Sequence, residues 1–111
     1  MLKFYKYQGT GNDFIMISSQ ENEDLNLSSK LIKKLCDRRF GIGADGLIII
    51  KPYKNLDFEV DYYNADGTQS FCGNGARCSV KFAAHLGLIR NVCQFWAIDG
   101  MHEAEILANG Q

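Results

Sequence analysis

The sequence predicts a single α+β domain over residues 1–111, and three observations carry that reading. Runs with strand patterning outnumber runs with helical patterning. One stretch, residues 73–86, is helical in pattern but apolar in most directions, which places it inside the fold rather than on its surface. Asp99-Gly100 stands between two strand-like runs and is a strong two-residue hairpin signal, so antiparallel pairing contributes to the sheet.

The elements follow in order. Residues 5–7 and 13–18 read as two strands joined by Gln8-Gly9-Thr10-Gly11-Asn12, whose glycines permit positive φ. The polar stretch 20–26 is a surface connection. Ser28 or Ser29 can cap a helix running to Asp37, with Leu31, Ile32 and Leu35 on a short apolar stripe. Residues 47–50 form a buried strand. Phe58, Val60 and Tyr62 alternate with Glu59, Asp61 and Tyr63 in a half-exposed strand that enters the turn Asn64-Ala65-Asp66-Gly67. In the helix over 73–86, Arg77, Lys81 and His85 recur every four residues on a narrow polar stripe, and Gly87 is its C-terminal stop. Residues 94–98 and 101–107 flank the last hairpin turn. Asn109-Gly110 is a further hairpin dipeptide with only Gln111 after it, so the sequence reads as cut before a returning strand.

Composition narrows the function. A chain of 111 residues, 46% hydrophobic and 23% charged, with one proline, is not a disordered tail. It is long enough for one modest core, so a site that needs two domains must borrow the second. Twelve Lys plus Arg against thirteen Asp plus Glu leave no basic excess for a nucleic-acid backbone. No apolar run, residues 47–50 included, approaches the roughly 18 residues of a membrane span, and residues 1–14 hold no signal-like core. The expected location is the cytoplasm, where Cys36, Cys72, Cys78 and Cys93 are reduced thiols. There is no C-x-x-C pair, and His85 and His102 lack neighbouring ligands, so no metal site is expected.

Two motifs invite chemistry. Gly41-Ile42-Gly43-Ala44-Asp45-Gly46 satisfies G-x-G-x-x-G, but here a helix precedes and a strand follows, the reverse of the dinucleotide-binding order. Its glycines read as a tight connection. The richer segment is Asn64 to Cys78. Cys72 stands at the threshold of the enclosed helix, where unpaired N–H groups and the positive dipole end favour thiolate over thiol. Free cysteine titrates near 8.5 and comparable positions lie between about 3.5 and 7.5, so a substantial thiolate fraction at neutral pH is expected. Gly73 and Gly75 strip side chains from the first turn, leaving N–H groups open to a substrate carboxylate. Cys36, Cys78 and Cys93 read as packing residues, His85 as part of the solvated stripe, and His102 as an exposed strand residue.

Gly9-Thr10-Gly11-Asn12-Asp13-Phe14, then Cys36 through Gly46, then Asn64-Ala65-Asp66-Gly67 and Cys72 through Cys78 together resemble the diaminopimelate epimerase family, in the same order and at nearly the same separations. The resemblance implies two similar halves, each with a mostly antiparallel sheet curled around a central helix, of which this chain matches the first. It implies inversion at one α-carbon of LL-diaminopimelate to the meso form in lysine synthesis, without pyridoxal phosphate, any other cofactor or metal. Two cysteines on opposite faces of that carbon would share the work, Cys72 being the first-half member. By the same resemblance Asn12 and Asn64 would hydrogen-bond the substrate's charged ends, while Gly73 and Asn74 offer backbone N–H groups. The sequence departs from the family pattern at Gly46, where some members carry Gln, and in the spacer between Gly67 and Cys72, which is one residue shorter than the commonest form. Without the second half, which carries the partner cysteine, the isolated chain is expected not to turn over, and its open strand edge could pair two copies as a homodimer. Two other readings stay open on the residues alone. One is a thiol-dependent transferase or redox protein with Cys78 as resolving thiol, and the other is a non-catalytic small-molecule binding module.

Overall fold

The computed structural model describes residues 2–9, 11–23, 25–71, 73–89 and 91–105. Among them one sheet takes its six strands in chain order: β1 (Tyr5–Gly9), β2 (Asn12–Ser18), β3 (Gly46–Tyr53), β4 (Leu56–Asn64), β5 (Val92–Ala97) and β6 (Gly100–Glu105). Each odd strand pairs antiparallel with the next, as three hairpins. The hairpins join through two parallel pairings, β2 with β3 and β4 with β5. The helix α1 (Ser29–Cys36) makes the first crossover and α2 (Gly73–His85) the second. The sheet is therefore mixed, with antiparallel pairings in the majority, because each parallel step needs a helix to return the chain.

The crossovers fix which face each helix covers. Both step in the same direction along the sheet, but β4 and β5 run opposite to β2 and β3, so right-handed connections put the two helices on opposite faces. Side-chain alternation sorts the core to match. Phe14, Met16, Ile48, Ile50, Phe58, Val60 and Tyr62 meet Cys78, Phe82 and Ala83 of α2 on one face. Ile15, Ile17, Leu47 and Ile49 meet Ile32 and Cys36 of α1 on the other. This two-sided burial explains why β2 and β3 read as unbroken apolar runs while β4, open on one side, alternates.

Local signals set the ends. The Ser28 hydroxyl accepts from the Leu31 N–H at 3.1 Å and caps α1. The glycine-rich segment after α1 closes that helix at its other end: Gly43 N–H reaches the Leu35 carbonyl at 3.0 Å and Ala44 N–H the Cys36 carbonyl at 3.1 Å. A Cβ at Gly41 would collide with the Lys34 and Leu35 carbonyls. The tight-connection reading of G-x-G-x-x-G is thus the structural one. Gly87, at φ +79°, ends α2 in a Schellman arrangement, with Gly87 N–H to the Ala84 carbonyl and Leu88 N–H to the Ala83 carbonyl, both 3.0 Å.

Some boundaries move. The first turn is shorter than its sequence suggests, since Gly9 already pairs with Asn12. β3 continues past residue 50 to Tyr53, with an irregular register between Lys51 and Tyr53, where Pro52 has no N–H to give. The last hairpin turns one residue earlier than expected: Ala97 pairs with Gly100, leaving Ile98 and Asp99 as the loop. Alternation decides this, because Cys93, Phe95 and Ala97 must face the core and Ile98 is then left 59% exposed. Asn109-Gly110 lies outside the described residues.

Phe82 is fully buried and its ring touches Tyr5 and Tyr7 at centroid distances of 5.1 and 5.5 Å, tying α2 to β1. Phe82→Ala is expected to cost about 3–5 kcal/mol, whereas Leu31→Ala, on the open side of α1, should cost under about 1 kcal/mol. Urea midpoints of the two variants against the parent chain check the contrast.

Candidate active site

One end of the sheet gathers the polar residues of all three sequence motifs. Register aligns Phe14, Gly46 and Asn64 across β2, β3 and β4, so Asn12, two residues before Phe14, and Asn64 sit on the α2 face at the same end. The first turn of α2 reaches this end too. Asn74 donates from Nδ2 to Asn12 Oδ1 at 2.7 Å, across 62 residues of sequence. Arg77 in turn donates to Asn74 Oδ1 at 2.6 Å, and Asn12 Nδ2 donates to Asp45 Oδ2 at 3.2 Å.

Asp45 belongs to a cluster that sequence reasoning did not assign. Asp13 receives both Arg38 guanidinium nitrogens, at 2.7 and 3.1 Å, the Lys6 ammonium at 2.9 Å and the Asp45 N–H at 3.1 Å. Arg38 also reaches Asp45 Oδ1 at 3.2 Å, and Lys6 donates to the Gly43 carbonyl. The Arg38 guanidinium, with Lys6 and the Asp45 N–H adding to it, holds the Asp13 carboxyl well below the usual carboxylate range despite partial burial. The available signal was the run of charges inside otherwise glycine-rich motifs, Asp13, Arg38 and Asp45, where loops of pure turn chemistry need none.

Asn64 is brought to the same end but not into contact with Asn12. Its amide donates to Thr68 Oγ1 at 3.0 Å and accepts from Ser70 Oγ at 3.1 Å. Gly67, at φ +89°, closes the turn below it with an N–H to the Asn64 carbonyl at 2.9 Å. The short spacer after Gly67 runs back beside β4, with Gln69 bridging Tyr63 and Ser70 N–H reaching the Tyr62 carbonyl at 3.3 Å. It delivers Phe71 into contact with Tyr62, Phe95 and His102. Gly46 lies between the two asparagines. A Cβ there would come within 2.9 Å of the Tyr63 carbonyl oxygen and 3.1 Å of the Tyr62 hydroxyl, so this chain has filled the space a longer residue would use.

Gly73, the first residue of α2, is exposed, and Phe71 two residues before it is anchored in the core. Cys72, between them, lies outside the described residues. The other three thiols are buried. Burial pushes Cys93 up to about 11 and raises Cys36 as well, which makes both inert as nucleophiles at neutral pH. Cys78 is 2% exposed in the α2 core, as expected of a packing residue and unsuited to an accessible resolving thiol. His85 lies on the exposed stripe with Arg77 and Lys81, with its Nδ1 2.8 Å from the Tyr7 hydroxyl. His102 is less open than expected, stacked on Phe95 and bonded to Asp99 at 2.7 Å.

A mixed sheet with one helix on each face is a fold already known among solved structures. It is shared with a methylitaconate-delta-isomerase, at a TM-score of 0.72 over 98% of this chain and 35% of that one, with 14% identity. A phenazine biosynthesis protein of the PhzF family from Bacillus anthracis aligns at 0.64 over 99% of this chain and 37% of that one, with 13% identity. The sequence goes further than the fold. The diaminopimelate epimerase family profile matches residues 4–111, and the chain belongs to that family. It is 56% identical over 97% of its length to a diaminopimelate epimerase of Flavobacterium psychrophilum, and 42% identical over 95% to one of Campylobacter jejuni. It spans about two fifths of the length of these relatives, 43% and 41%.

The depressed Asp13 value sets a pH dependence. A carboxylate whose folded-state pKa lies below its unfolded value stabilises the fold fully above the ordinary carboxylate range, and that stabilisation fades as pH falls below about 4. Urea midpoints measured between pH 7 and pH 3 should therefore drop more steeply for the parent chain than for Asp13→Asn, which starts lower but lacks this titration.

Proposed function

We propose that residues 1–111 form the first of two halves of an epimerase that converts LL-diaminopimelate to its meso form in lysine synthesis, with Cys72 working on one face of the α-carbon. The observation that carries this reading is the meeting of Asn12 with Asn74 at the first turn of α2, beside the motif that contains Cys72. It supports a substrate site where strand ends and a helix N-terminus converge, with Asn64 on the same side of the sheet.

In the proposed reaction the Cys72 thiolate takes the α-hydrogen, so one C–H bond breaks and one S–H bond forms. The electron pair passes into the adjoining carboxylate. A thiol from the second half then gives its proton to the opposite face of the carbon, leaving inverted configuration and the negative charge on the other sulfur. The Cα–H is far less acidic than a thiol, so charge building on the carboxylate needs preorganised donors. The backbone N–H groups at the start of α2, those of Gly73 and Asn74 among them, are of that kind. Asn12 and Asn64 hold the charged ends of the substrate, and closure of two halves excludes water and strengthens each of these interactions. The step draws only on thiols and fixed dipoles, and we place it in the cytoplasm, where thiols stay reduced.

The test completes residues 1–111 with the remaining sequence of the Flavobacterium psychrophilum relative and supplies LL-diaminopimelate in deuterated water. Deuterium should enter the α-position as the meso isomer forms, Cys72→Ala should abolish both, and residues 1–111 alone should give neither. Binding of diaminopimelate with its stereochemistry unchanged and no deuterium incorporated would mark a binding module instead and overturn the proposal. Iodoacetamide at neutral pH should modify Cys72 at least about tenfold faster than buried Cys36. Equal rates would refute the activated thiolate.

A further inference from the structure

The contacts around Asn12 form a chain with a direction. Arg77 can only donate, and both side-chain oxygens of Asp45 accept. Between them two primary amides, each with a donor end and an acceptor end, stand in series: Arg77 to Asn74 Oδ1, Asn74 Nδ2 to Asn12 Oδ1, Asn12 Nδ2 to Asp45 Oδ2. Turning either amide over would set oxygen against oxygen or nitrogen against nitrogen at two junctions. The bonds to Arg77 and Asp45 at the two ends are thus satisfied by one direction of the two amides. Asp45 is itself held, by Arg38 on its other oxygen and by the Asp13 N–H at 3.1 Å.

Arg77 is on the exposed stripe of α2, in contact with solvent rather than core. Stability of the helix does not call for it there. Its placement is explained by the bond to Asn74. Resting on the function proposed above, we infer that Arg77 and Asp45 are positioning residues: by pinning the two ends of this chain they fix the Asn12 amide with its nitrogen on the Asp45 side, so that Asn12 presents an N–H donor to a substrate carboxylate in one orientation only. Neither residue touches the substrate. A reversed amide would present a carbonyl oxygen where the donor should be, and would repel the carboxylate.

Two readouts test this with Arg77→Gln and Arg77→Lys, an exposed position where neither change threatens the fold. Gln carries both a donor and an acceptor and cannot enforce direction, whereas Lys donates only. In the ¹⁵N-labelled 111-residue chain, the side-chain amide protons of Asn12 and Asn74 should each include one protected from solvent exchange. Arg77→Gln should remove that protection at Asn12, which Arg77 does not touch, and Arg77→Lys should retain it. In the completed enzyme Arg77→Gln should raise KM about tenfold while kcat changes less than about threefold, with Arg77→Lys within about twofold of the parent on both. Asn12 protons indifferent to Arg77→Gln, or an unchanged KM in an enzyme that turns over, would overturn the inference while leaving the epimerase reading intact. Amide behaviour as expected in an enzyme that exchanges no α-hydrogen would sink the reading of function and keep the positioning of Asn12.

Discussion

Asp13 is the carboxylate on which the polar end of the sheet depends. It draws Arg38 from the loop after α1, Lys6 from β1 and the backbone of Asp45 from the entry to β3, while its own N–H binds Asp45 in return. Three chain segments, 7, 25 and 32 residues from it in sequence, are thereby fixed relative to the start of β2. Asn12 is the next residue, so the same set of bonds that locks the sheet end also locks the candidate substrate ligand. Bidentate guanidinium pairing suits this task because its fork has a fixed geometry, which a lysine at position 38 would not supply.

The rest of the architecture serves to bring α2 to that end. Two crossovers of the same hand in strands of opposite direction divide the helices between the faces, and only α2 starts where β2 and β3 start and β4 finishes. Phe82 holds the helix to β1 through the tyrosine rings, and Cys78 fills the interface as an ordinary small apolar residue. Phe71 pins the chain just ahead of the helix against β4, β5 and β6. Two residues later the chain opens to solvent at Gly73.

Much of this was legible in the amino acids. The cap at Ser28, the stop at Gly87, the polar stripe of Arg77, Lys81 and His85, and the packing roles of Cys36, Cys78 and Cys93 follow from local chemistry and periodicity, and each stands where that chemistry places it. The last hairpin slipped by one residue because a dipeptide preference is weaker than the burial of Cys93, Phe95 and Ala97 on one face. His102 read as exposed because nothing local announces the Phe95 and Phe71 rings that flank it.

The sequence by itself determined the family, the element order and the positions of the helix ends, since these rest on side chains acting on their own backbone within a few residues. The tertiary structure decided the parallel pairings, the division of the two helices between faces and the partners of Asn12. Those depend on residues up to 62 positions apart meeting in space, and no local preference of Asn12, Asn74, Arg77 or Asp45 encodes which of the others it will find.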